Sequence, residues 1–245
     1  MHNHYSKMFL YGRADAATSS PMTDYAQLSR SINTLVATID QHFRPYLCLE
    51  SVRPHDPVEV RYMPAPWKLL GTGNYAAVFN HPNYPELVVK MYAPGRPGFE
   101  DEVEVYRRIG SHPAFSQCFY ARDNFLILKR LQGVTLYNCL NRGFRIPSQV
   151  ISDIDRALDY ARSRGLRPHD VHGKNVMMHE GEGLVVDISD FLREGSGLAW
   201  DDLKKFYYWV YRPLLSPLRI RIPLTLLDIS RRVYRLLRTL LKRKA

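Results

Sequence analysis

The chain has 245 residues, 45% hydrophobic and 24% charged, with a net charge of +10. It is long enough for one large domain or two small lobes, and its composition excludes a fibrous or disordered class. Its three cysteines, Cys48, Cys118 and Cys139, form no C-x-x-C pair, which argues against a disulfide framework or a zinc knuckle and points to a reducing compartment. The apolar run Met8 to Tyr11 is too short for a secretory signal, and no stretch reaches the ~20 apolar residues of a membrane span. A cytoplasmic location, with peripheral membrane contact open, is the expectation.

Residues 1–21 are polar and end in Ala17-Thr18-Ser19-Ser20-Pro21, a composition expected to be mobile. From Thr23, read as a helix cap, Tyr25, Leu28, Ile32, Leu35, Ile39 and Phe43 recur at three- and four-residue steps and predict an apolar helical stripe. The stripe could dock onto the first lobe or meet a partner helix. After the break Arg53 to Pro57, Val58 to Tyr62 alternates as a strand, so 22–63 reads as a helix-and-strand extension.

Trp67 to Phe79 predicts a strand, a turn carrying Gly71-Thr72-Gly73, and a second strand. Ala76 stands at the third position of a G-x-G-x-x-G pattern. The turn does not open a helix, which disfavours a dinucleotide fold. Leu87 to Met91 is a buried-type strand with one charge in it, Lys90, and a lysine in so apolar a run needs a partner. On the helix that begins at Phe99, Glu102 shares a face with Tyr106 and Ile109, whereas Glu104 points elsewhere.

Phe125 to Gly133 is another apolar strand running into a glycine turn. Val150, Ile151, Ile154, Ala157, Leu158 and Ala161 mark a helix ending at Gly165. It leads into a polar turn holding Asp170 and Asn175. Two short strands joined by His179 to Gly183 then deliver Asp187. A transferred phosphoryl group needs its charge neutralised and its acceptor hydroxyl aimed in line. Asp170 could orient that hydroxyl and take its proton, while Asn175 and Asp187 supply the hard oxygen ligands that suit Mg²⁺.

The stretch Asp170-Val171-His172-Gly173-Lys174-Asn175 and the later Asp187-Ile188-Ser189 resemble the H-R-D-L-x-x-x-N catalytic loop and the D-F-G motif of the protein kinase-like superfamily. Pro168 and His169 stand in the places of the His and Arg, and Ile188-Ser189 replace Phe-Gly. His172-Gly173 looks more like aminoglycoside or lipid-type kinases, whose loop reads D-x-H-x-x-N. Glycine hairpin, strand lysine, helix glutamate, catalytic loop and metal aspartate fall in family order over roughly residues 67 to 209. The resemblance implies an α+β, two-lobed protein kinase-like fold, with a β-rich N-lobe over 64–132 and a reduced α-helical C-lobe over 133–216. It implies ATP and Mg²⁺ as cofactors.

By the same resemblance, Lys90 grips the α- and β-phosphates and pairs with Glu102, and Gly71, Thr72 and Gly73 cover the phosphates. Main-chain groups near Lys129 and Leu131 meet the adenine edge, and Val78, Val88 and Met177 sandwich the purine. Asp170 is the catalytic residue; Asn175 and Asp187 hold metal. Superfamily membership favours protein Ser/Thr hydroxyls as acceptor. The shortened second lobe and His172-Gly173 favour a sugar, lipid headgroup or other small molecule, and the altered Pro168-His169 and Ile188-Ser189 keep open a nucleotide-binding pseudokinase scaffold. No A-P-E signature follows. The absent Arg before Asp170 implies no control by activation-loop phosphorylation. Trp200-Asp201-Asp202 resembles the aspartate-led helix of small lipopolysaccharide-kinase-like proteins.

Most of the positive charge lies in 217–245, where nine basic residues face Asp228 alone. Ile229, Val233, Leu236, Leu237, Leu240 and Leu241 fall on one helical face and Arg231, Arg235, Arg238 and Lys242 largely on the other, a basic amphipathic helix. It could pack on the second lobe, lie on an anionic membrane surface or meet an acidic partner. Nucleic acid is disfavoured, because stacking aromatics are absent apart from Tyr234.

Overall fold

The computed structural model describes residues 7–8, 21–53, 56–194, 198–230 and 232–233. The chain divides into two units: Met1–Leu131 with Arg164–Leu166 and Ile188–Leu192, and Gln132–Ser163 with Arg167–Asp187 and Arg193–Ala245.

In the first unit the elements are β1 (Lys7–Met8), α1 (Pro21–Thr38), β2 (Cys48–Glu50), β3 (Glu59–Tyr62), β4 (Lys68–Thr72), β5 (Ala76–Asn80), β6 (Leu87–Tyr92), α2 (Phe99–Ile109), β7 (Cys118–Arg122) and β8 (Phe125–Lys129). Strands β1-β7-β8-β6-β5-β4 form one sheet in that order, and β2 and β3 pair separately; every pairing is antiparallel. Strand periodicity explains what each face does. Leu87, Val89 and Met91 of β6, Ala77 and Phe79 of β5, and Phe125 and Ile127 of β8 share one core cluster with Ile32, Leu35, Ile39 and Phe43. The amino-terminal helical stripe therefore packs on this side of the sheet. Phe43 stacks on Trp67 with centroids 4.0 Å apart and meets Phe79 edge-on at 4.9 Å. The alternate residues Val88, Lys90 and Tyr92 are left for the opposite face.

Two details differ from the periodicity reading. The helix begins two residues before Thr23 and ends in a π-helical turn, Ile39–Phe43; Asp40 on that turn binds Arg122 of β7 at 2.5 Å, a partner far away in sequence. Strand β1 lies inside the stretch expected to order poorly, its backbone paired through Lys7↔Ala121 and Met8↔Tyr120.

The second unit contains β9 (Val134–Thr135), α3 (Leu136–Arg142), α4 (Ser148–Ser163), β10 (Val176–His179), β11 (Glu182–Val185) and α5 (Leu198–Phe206). A π-helical segment, Tyr207–Leu215, and a helical run over 224–230 follow. The sheet order is β11-β10-β9. All six apolar residues predicted for α4 are buried. Strand β11 lies so close to this helix that a Cβ on Gly183 would stand 2.3 Å from the Val150 carbonyl oxygen. Gly183 is thus fixed by packing, and its N–H donates to Asp153 Oδ2 at 3.0 Å. Helix α5 is tied to α4 through Asp155, whose Oδ1 accepts from Trp200 Nε1 at 2.7 Å and from Lys204 Nζ at 2.9 Å. The Tyr207 and Tyr211 hydroxyls donate to the carbonyls of Ile146 and Phe144, both at 3.0 Å.

Candidate active site

Lys90 lies in the middle of β6, whose six residues are all buried. Its Nζ donates to Glu102 Oε1 at 2.7 Å, with 11% of the lysine side chain and 1% of the glutamate side chain exposed. A desolvated pair is retained only where its geometry satisfies both charges. Here the second carboxylate oxygen is satisfied too: the Tyr92 hydroxyl donates to Glu102 Oε2 at 2.6 Å. The sequence reading did not single out Tyr92. Its signal was available, since a residue two positions after Lys90 in a strand shares its face. Glu104, assigned elsewhere by spacing, binds Arg107 and Arg108 on the helix surface, and these hydrogen bonds hold its pKa down to about 2. Tyr92→Phe removes a hydrogen bond to a buried carboxylate, so it is expected to lower stability by about 1.5–3 kcal/mol. Urea unfolding checks this as a lower midpoint at unchanged slope.

Across the sheet, Val78 is the register partner of Lys90, and Val88 precedes it by two on the same strand. The glycine hairpin is closed by Gly73 N–H donating to Ala76 O at 2.8 Å, with a bulge between Leu69 and Gly71. A Cβ on Gly71 would meet nothing within 4 Å, and one on Gly73 only Ala76 O at 3.7 Å. Neither glycine has the positive φ that would demand it. Folding therefore does not require glycine at these two exposed positions.

At the end of β8, the Lys129 N–H donates to Gln117 O at 2.8 Å and its carbonyl accepts from Ser116 Oγ at 2.7 Å, leaving one lone pair on that oxygen. The Leu131 amide has no hydrogen-bond partner among the described residues. The two units divide between Leu131 and Gln132, next to the main-chain groups expected to meet the adenine edge.

The second unit carries Asp170, Asn175, Met177 and Asp187. Asp170 is half exposed and adopts φ 54°, a left-handed conformation that a non-glycine residue rarely takes. Such an outlier motivates a functional assignment. The turn is locked from within: Asn175 Nδ2 donates to Asp170 O at 3.1 Å, and Asn175 N–H to His172 O at 2.8 Å. The Val186 N–H donates to Asn175 O at 2.9 Å, which places the loop beside the strand end preceding Asp187. Both candidate metal residues thus lie at one end of the β10–β11 hairpin. Met177 pairs with Leu184 and with Thr135, at the centre of this small sheet. His172 Nδ1 accepts from Lys174 N at 3.3 Å, and its Nε2 lies 3.7 Å from Asp170 Oδ2.

The loop is also fastened to the following tail, which sequence patterning did not reveal. Lys174 Nζ binds Asp228 Oδ1 at 3.1 Å and stands 4.2 Å from the Tyr137 ring centroid. Ile222 N–H donates to Leu140 O at 3.1 Å, and Asn141 Nδ2 to Ile222 O at 3.0 Å. Leu236, Leu237, Leu240 and Leu241, the further half of the predicted amphipathic helix, lie outside the described residues.

A sheet-bound Lys–Glu pair, a glycine hairpin without a folding role and an Asp–Asn loop joined to a strand-borne Asp follow one another in the order of a protein kinase-like α+β fold. No protein-family model matches the chain. A protein of Bacillus subtilis (strain 168), named "Putative serine/threonine-protein kinase YrzF", is 31% identical over 120 residues, which are 49% of this chain and 56% of that one. The structure of a mutant PknI kinase domain from Mycobacterium tuberculosis matches 50% of this chain and 57% of that one, at 24% identity and a TM-score of 0.40. The chain thus spans just over half the length of each of these two relatives. The sequence match, over about half of the chain, and the order of its elements support a likeness to the protein kinase-like superfamily.

Proposed function

We propose that the chain is a Mg-ATP-dependent phosphotransferase acting on hydroxyl groups, with protein Ser/Thr side chains as the leading acceptor class. The observation that carries this reading is the Lys90–Glu102 contact at 2.7 Å, almost wholly desolvated. Burying such a pair costs several kcal/mol of desolvation per ion, which a fold need not bear for packing alone. Bound ATP with Mg²⁺ supplies the γ-phosphoryl group and neutralises the charge that develops on it. The donor set suits that group. Lys90 offers a cation held in place by Glu102 for the α- and β-phosphates, and Gly71 to Gly73 offer main chain that a ligand can approach closely. Asn175 and Asp187 offer hard oxygens, in the small number that Mg²⁺ takes from protein when phosphates complete its shell. The Leu131 amide, without a hydrogen-bond partner among the described residues, and the spare lone pair of Lys129 O suit an adenine edge, and Val78, Val88 and Met177 are the apolar residues assigned to the purine. Asp170 orients the acceptor hydroxyl and accepts its proton, and His172 positions the Asp170 carboxylate. The three cysteines are free of disulfides, which suits a reducing compartment.

A small-molecule acceptor is the second reading. It is favoured by the approach of His172 to Asp170, a feature of the D-x-H-x-x-N loop rather than of the protein-kinase loop. The test of the nucleotide site is Gly71→Val. Because a Cβ at this position meets open space, Tm is expected to stay unchanged, while calorimetric titration with Mg-ATP should show affinity lowered by about tenfold or more, equivalent to roughly 1.4 kcal/mol. Unaltered affinity would remove the hairpin from the site.

A further inference from the structure

The segment that follows α5 is held to the second unit by Tyr207 and Tyr211, by the backbone of Ile222 and by Asp228, and most of its large apolar side chains face solvent. Tyr208, Trp209, Leu214, Leu218, Leu226 and Ile229 are all exposed, Trp209 at 77%. The Ser216 N–H bonds to Tyr211 O at 2.7 Å, five residues back. In that π-helical winding residues five apart stack, so Trp209 and Leu214 share a face. Large apolar side chains exposed in such density mark a surface that meets something apolar. Charge indicates what it meets. Arg212, Arg219, Arg221 and Arg232 lie in the same segment, and none forms an ion pair among the described residues. The neighbouring acids are engaged: Asp155 and Asp201 with Lys204, Asp202 with Lys205, and Asp228 with Lys174. No helix among the described residues is long and apolar enough to cross a membrane.

We propose that residues 206–230, with Arg232 and Val233, form a docking surface for an anionic phospholipid bilayer. Trp209, Tyr208 and the leucines enter the headgroup–acyl boundary and the unpaired arginines contact lipid phosphates. Exposed Trp and Tyr beside aliphatic side chains suit that boundary, and arginine stems bury their methylenes while the guanidinium stays at the headgroups. The surface is broader than the tail helix alone and begins in the π-helical segment. It stands independently of the phosphotransferase reading.

The chain carries its own probe. Of its three tryptophans, Trp67 and Trp200 are 4% and 2% exposed and Trp209 is 77% exposed, so a change in emission reports Trp209. The full chain is titrated with vesicles of phosphatidylcholine alone, or with part of it replaced by phosphatidylglycerol. The expected result is a blue shift and co-sedimentation with the phosphatidylglycerol vesicles only, both weakening as salt is raised. Leu218→Glu, at an exposed position and with unchanged circular dichroism, should weaken that binding by about tenfold or more, as loss of one inserted leucine implies. Three results would overturn the proposal: no phosphatidylglycerol-dependent shift, a shift that grows with protein concentration without lipid and so reports a second copy, or undiminished vesicle binding by Leu218→Glu.

Discussion

Asp170→Asn is expected to abolish measurable phosphoryl transfer while leaving Mg-ATP affinity and Tm close to wild type. Removing a positioned general base costs about 10²–10⁴ in rate, and in the proposed role Asp170 would also aim the acceptor. Asparagine is the informative replacement because of the backbone. At φ 54° an alanine adds left-handed strain, whereas asparagine tolerates that region nearly as well as aspartate. The Asn175 side chain bonds the main-chain carbonyl of residue 170, and this contact survives the substitution. Single-turnover transfer from ATP is the measurement. Wild-type rates in Asp170→Asn would remove Asp170 from the chemistry; equal loss of ATP affinity would make its role structural.

Gly183→Ala is expected to produce the largest loss of stability from a single added methyl group. The new Cβ would lie 2.3 Å from Val150 O, 2.9 Å from Ile154 Cγ1 and 3.1 Å from Asp153 Cβ. Val150 O is backbone on a buried helix and cannot rotate away, so β11 must move off α4. Overpacking costs about 1–3 kcal/mol and here reaches the upper end, lowering Tm by roughly 6–12 °C. Because β11 delivers Asp187, residual activity should fall further than the unfolded fraction accounts for. A thermal melt with a parallel transfer assay separates the two effects. Gly181 in the preceding turn meets no neighbour but has φ 87°, so Gly181→Ala should cost only the strain of that conformation.

Much of this arrangement could be read from local patterns. The apolar run Leu87 to Met91 marked β6 with Lys90 as its one charge in need of a partner, and the steps of four and seven residues from Glu102 separated it from Glu104. The apolar stripe of α4, the glycine hairpin and the two-strand delivery of Asp187 were likewise readable, since each is specified by residues within one turn or one strand. What escaped the sequence depends on distant partners. The fixed glycine at 183 is set by a helix thirty residues earlier, and the Lys174–Asp228 bond joins residues 54 apart. Strand β1 rests on backbone pairing to β7, which a two-residue strand does not advertise. The π-helical turns escaped for another reason: periodicity arguments assume 3.6 residues per turn, and Asp40 on the first of these turns is placed by its bond to Arg122. Tyr92 is the one site residue that local reasoning could have found, because its two-residue spacing from Lys90 puts both on the face that Glu102 meets.

The most direct test of the central claim is phosphoryl transfer from γ-labelled ATP with Mg²⁺ by wild type and Asp187→Asn, offered the protein itself, generic protein substrates and a metabolite extract. The account predicts label on a hydroxyl acceptor in the wild-type reaction and none with Asp187→Asn. Label on protein identifies a protein kinase, and label on a small molecule identifies a metabolite or lipid kinase. Wild-type protein that binds ATP yet moves no label to anything, or an Asp187→Asn protein as active as wild type, would contradict it.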